Sequence, residues 1–145
     1  VEVISGFWGN LTLGTLGSLI LIKILDGKIL LKLYALTSSV LILVALFGDL
    51  QYSILSFKLM GFSLSGIWAL VISLGLNSVK KNHGTFTGIL LTGIVGGAIF
   101  PFLIALIAQI FELRYGMILI FFGLLYISYI GFYSKPIDKN NLIKL

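Results

Sequence analysis

Five long apolar stretches, each about as long as a bilayer is thick, leave this 145-residue chain few folds to choose from. Crossing roughly 30 Å of hydrocarbon takes about 20 predominantly apolar residues in a helix. Runs of that kind occupy residues 4–22, 30–47, 53–76, 86–110 and 115–134. Short polar segments separate them: KILDGK (23–28), GDLQ (48–51), NSVKKNHG (77–84) and ELR (112–114), with SKPIDKNNLIKL closing the chain. Strands of a membrane barrel would be about half as long and would alternate apolar with polar residues. The expected fold is therefore an all-α membrane bundle over residues 1–135, followed by a polar tail at 136–145. A charged fraction of 10% agrees, because a water-soluble surface of this size needs about 25%.

The net charge of +5 is distributed in a way that speaks of orientation. Lys23, Lys28 and Lys32 flank the first loop, Lys80 and Lys81 lie in the third, and Lys135, Lys139 and Lys144 lie in the tail, whereas the second loop carries only Asp49. Lysine-rich loops alternate with lysine-poor ones, as the positive-inside rule requires of a multi-pass protein in the cell membrane. The first and third loops and the C-terminus are expected in the cytoplasm, with Val1 outside and at least one further helix ahead of it. Lysines confined to loop clusters do not make the basic face that a nucleic-acid partner needs. The cysteine count of zero removes thiolate metal sites and cysteine nucleophiles, and neither a metal nor a cofactor is expected.

Glycine and proline inside the apolar runs are the next clue. Helices in lipid associate by close packing, and small residues let backbones approach. Gly14 with Ser18, Thr92 with Gly96, and Gly93 with Gly97 all stand at small-xxx-small spacing. Pro101 withdraws a donor from the helix ladder, which is tolerable where neighbouring helices or water satisfy the freed carbonyl. Close packing and bending are expected along Gly93–Pro101; a tight static bundle is the simpler alternative.

Three polar stripes follow helical spacing: Gly6, Asn10, Gly14 and Gly17; Lys58, Gly61, Ser65 and Trp68; and Thr85, Gly88, Thr92 and Gly96. A solute site needs a few convergent polar groups on an apolar wall. Asn10, Ser65, Trp68 and Thr92 are the expected solute-binding residues, with an aromatic ring beside hydroxyls suiting a sugar. The alternative is that Trp68 packs and Ser65 bonds its own backbone. Lys58 is expected to snorkel toward the outer interface. Glu2, Asp26, Asp49, Glu112 and Asp138 all fall at span ends or in loops, so no carboxylate is placed to couple ion movement within this segment.

The stretch HGTFTGILLTGIVGGAIFPFLIALIAQIFELRYG (83–116), followed by LLYISYIGFY (124–133), resembles the end of the fucose and glucose/galactose type sugar:proton symporters of the major facilitator superfamily. GNLTLGTLGSLILIKILDGKILL (9–31) is similar to the helix and inner loop that open the later part of their second half. The resemblance implies the last five helices of a twelve-helix bundle, with the N-terminal half as partner and the coupling carboxylate in it. It implies alternating access to a midplane site and transport of a small polar solute, with Asp26 and Lys28 in a degenerate form of the cytoplasmic loop motif. An Asp-Gly turn accounts for Asp26 equally well. The sequence departs from the family's pattern at Leu64 and Thr85, where amides are usual, and at Ala69, where proline is.

Two other function classes compete with transport. A membrane-embedded enzyme would need Ser65 and His83 to meet, but one lies inside a span and the other in a loop. No enzymatic activity is expected. A noncatalytic membrane scaffold would show no polar stripes converging on a common cavity.

Overall fold

A computed structural model of the chain describes residues 2–79 and 81–133. It is all-helical, with no strand among the described residues. Five helical stretches are long and apolar enough to cross a membrane, and they coincide with the five expected runs: Glu2–Ile24, Gly27–Phe47, Leu50–Leu76, His83–Ile110 and Leu113–Tyr133. Such a chain is compatible with a multi-pass membrane protein. The polar tail at 136–145 and Lys80 lie outside the described residues.

Two of the five spans are discontinuous. The first, second and fifth are single helices, α1 (Glu2–Ile24), α2 (Gly27–Phe47) and α7 (Leu113–Tyr133). The third divides into α3 (Leu50–Leu64) and α4 (Ile67–Leu76), and the fourth into α5 (His83–Thr92) and α6 (Gly96–Ile110), with a 3-10 turn at Gly93–Val95 between them. Connections are minimal. Asp26 takes extended backbone and its Oδ1 accepts from the Lys28 N–H at 3.1 Å, so that it caps α2. The Asp-Gly pair therefore serves as a turn and a helix start.

Helix α2 is the centre of the bundle. It packs against α3, α4 and α7, while α1 lies on the far side of α3 and α6 lies against α7. The core between α2, the third span and α7 is built from Leu30, Leu31, Ile42, Met60, Leu70 and Leu124, among others. Serines complete it: Ser38, Ser39, Ser56, Ser63 and Ser128 are buried. Their size permits close approach, and a helical serine can return its hydroxyl to its own backbone; Ser39 donates to Ala35 O at 2.7 Å and Ser128 to Leu124 O at 3.0 Å. Cations clasp both ends of the α2–α7 pair. Lys32 Nζ stands 4.6 Å from the Phe132 ring centroid, and the Arg114 guanidinium 5.8 Å from that of Phe47.

The third span breaks at Ser65–Gly66, where α1 and α2 both press on it. A Cβ added to Gly66 would lie 2.6 Å from Tyr34 Cε2 and 2.7 Å from Ser18 Oγ. Ser18 donates to Gly14 O at 2.7 Å, so Tyr34 supplies the proton of the 2.8 Å bond between their hydroxyls. Removing that hydroxyl in Tyr34→Phe is expected to cost about 1 kcal/mol, read as a lower unfolding midpoint in detergent.

Candidate functional site

The polar stripes of the first and third spans face each other. Gly6 lies against the Lys58 stem, where an added Cβ would come within 2.8 Å of Cδ, and Gly14 lies against the break, where an added Cβ would stand 2.5 Å from Ser65 Oγ and 2.6 Å from Phe62 O. A Cβ on Gly61 would strike the Phe7 carbonyl. What reads in sequence as two walls of a solute cavity is the seam along which α1 and α3 approach most closely. The physical reason is that small residues at four-residue spacing serve a helix contact as well as they serve a cavity.

Their polar groups are turned largely to their own helices. Asn10, half-buried, donates from Nδ2 to Gly6 O at 2.9 Å, and Ser65 donates from Oγ to Phe62 O at 2.7 Å. The amide retains donor and acceptor capacity beyond that one bond. Lys58 does not snorkel alone: its Nζ donates to Glu2 Oε1 at 2.8 Å, which closes the seam at its other end.

Trp68 and Thr92 stand apart from this seam. Trp68 is about half exposed and lies between two grooves, an apolar furrow with Leu64, Ile67, Val71, Leu124, Tyr126 and Ile127 on one side and a groove with Ile72, Ser73 and Asn77 on the other. Thr92 is exposed and donates to Ile89 O at 2.6 Å. Among the described residues, nothing lies within 4 Å of a Cβ added to Gly93, Gly96 or Gly97, so the close packing expected along the fourth span is not made within this chain. Of the glycines expected to pack, Gly14 alone does so here. The residues from Gly93 do loosen the helix: they form the 3-10 turn, with the Gly96 N–H bonded to Gly93 O, and Pro101 follows inside α6.

The two breaks share one depth. Helices α4 and α5 each have 10 residues and meet where Gly75 faces Phe86 and Leu90. At 1.5 Å per residue, Ser65–Gly66 and Gly93–Val95 each lie about 15 Å from the connecting loop, half of a hydrocarbon layer of roughly 30 Å. The second break falls in the Gly93–Pro101 stretch where bending was expected; the first escaped the sequence reading, although Ser-Gly is a breaker dipeptide and Ser65–Gly66 falls in mid-run. Asn82 begins the second half-helix with φ of 61°, left-handed backbone that asparagine tolerates.

Among the described residues no three His, Asp or Glu side chains gather as metal ligands would. Ser65 and His83 are separated by α4, about 15 Å long. Comparison of the chain with family models, with curated proteins and with solved structures gave no match.

Proposed function

We propose that this chain forms the C-terminal five spans of a major-facilitator-type secondary transporter, moving a small polar solute of the sugar class by alternating access. The observation that carries the reading is the pair of breaks at mid-bilayer depth in adjacent spans, because discontinuous helices are a recurrent feature of transporter sites. Each break is a tightened turn of right-handed backbone, with Ser65 N–H on Phe62 O and Gly96 N–H on Gly93 O, and such departures from the regular helix ladder are tolerated at that depth where protein or a cavity surrounds them. Ser65 at the first break, Asn10 one helical turn before the Gly14 that packs there, and the exposed Thr92 next to the second break are the groups we assign to solute contact. Trp68 keeps a place only at the edge of this wall. The partner half would complete the site and bring the protonatable carboxylate, since Glu2, Asp26, Asp49 and Glu112 all sit at helix ends.

A second reading, a noncatalytic membrane scaffold, draws on the polar stripes of α1 and α3 being spent on each other. Uptake separates the two. Proteoliposomes holding this chain with its partner half should accumulate at least one labelled sugar, faster with a proton gradient than without. Asn10→Ala and Ser65→Ala should each raise KM by about tenfold, the equivalent of one strong polar contact. Uptake of no solute at all would favour the scaffold; uptake of another solute class would retire the sugar alone.

A further inference from the structure

We infer that the furrow beside Trp68 is a binding site for one acyl chain of an anionic phospholipid, whose headgroup rests at the lysine-bearing end of the bundle. The furrow has α2 as its floor and α4 and α7 as its walls. It comprises two adjacent cavities of about 390 and 180 Å³ that meet at Leu31, Val71 and Ile130. From Leu64 in mid-span to Ser78 at the loop it follows the third span for about 21 Å, at 1.5 Å per residue.

Three observations select the occupant. The lining is almost wholly apolar, and the Ser78 hydroxyl is already bonded to Leu74 O at 2.7 Å. Water has nothing to hold it there, since an apolar cavity stays dry. Cavities of about 390 and 180 Å³ set end to end along the third span match the width and length of a single hydrocarbon chain. Finally, the polar end is electropositive. The furrow opens beside the start of α2 and the α4–α5 loop, so that Lys81 and Lys32, the latter with its Nζ over the Phe132 ring, lie at that end, where α2 begins and α4 and α7 finish. Among the described residues the one carboxylate there is Asp26, which is engaged in capping α2. An excess of lysine over carboxylate at the membrane surface favours an anionic headgroup.

Trp68 lines the furrow, and the only other tryptophan, Trp8, lies on α1. The full chain carrying Trp8→Phe, in phosphatidylcholine vesicles, therefore reports on the furrow by its own fluorescence. Phosphatidylglycerol brominated near the middle of its chains should quench Trp68 at a lower mole fraction than brominated phosphatidylcholine does, by about fivefold for each lysine engaged. Lys81→Gln and Lys32→Gln should each remove part of that preference. Filling the furrow with Val71→Phe, or independently with Ile127→Phe, should abolish it. In Trp68→Phe protein, Trp8 should be quenched equally by both lipids and so certify the fold. Equal quenching of Trp68 by the two lipids, a preference that survives both filling variants, or no quenching by either would overturn the site.

Discussion

Replacing Gly61 with valine is expected to prise α1 from α3 and to lower the stability of the bundle by about 3 kcal/mol. The new Cβ would meet the Phe7 carbonyl and lie 3.2 Å from the Leu11 nitrogen. Both are backbone atoms, so no side chain can rotate aside, and the helices must separate along the whole seam from Glu2–Lys58 to Ser18–Gly66. Gly97→Val is the matched control. It has nothing within 4 Å of its Cβ among the described residues and should change stability by no more than about 0.5 kcal/mol. Unfolding midpoints in mixed detergent micelles measure both. Equal losses in the two variants would mean that α1 and α3 do not touch along this face.

The second large effect is all-or-none. The chain has no cysteine, so single substitutions report without background. The helix order puts Asp26 and Lys81 at one end of the bundle and Asp49 and Glu112 at the other, and we orient the lysine-bearing end toward the cytoplasm. Asp49→Cys and Glu112→Cys should react with a membrane-impermeant maleimide on intact cells. Asp26→Cys and Lys81→Cys should react only after permeabilisation. The inverse pattern would keep the bundle and reverse its orientation; Lys81→Cys and Asp49→Cys labelling together would break the bundle itself.

The five spans were legible because hydrocarbon thickness is a length requirement, and a run of apolar residues meets it whatever its neighbours do. What each face of a span touches was not legible. Gly6, Asn10 and Gly14 have the spacing of a cavity wall and equally that of a helix seam, and only the facing stripe of Lys58, Gly61 and Ser65 decides between them. The same ambiguity attends Trp68, whose ring suits a sugar or a hydrocarbon wall, and whose surroundings include Leu31, Leu124, Tyr126, Ile127 and Ile130 brought in from α2 and α7. Lys58 found Glu2 across 56 positions, a pairing that no local pattern encodes. The break at Ser65–Gly66, by contrast, was visible as a dipeptide and was obscured by the hydropathy of the run around it.

The order of contacts along the chain has a bearing on how the protein is made. Helices α1 and α2 are consecutive yet meet only narrowly, around the Ser18–Tyr34 bond; α1 rests mainly on α3, and so does α2. Within this stretch α1 and α2 therefore emerge from the ribosome before the element that both pack on. At synthesis rates of about 5–20 residues per second, the third span follows within a few seconds, and until it arrives the glycine-lined side of α1 lacks the mate it finds in α3. A membrane insertase or chaperone that shields that side during this interval would act on the most vulnerable moment in the biogenesis of the chain.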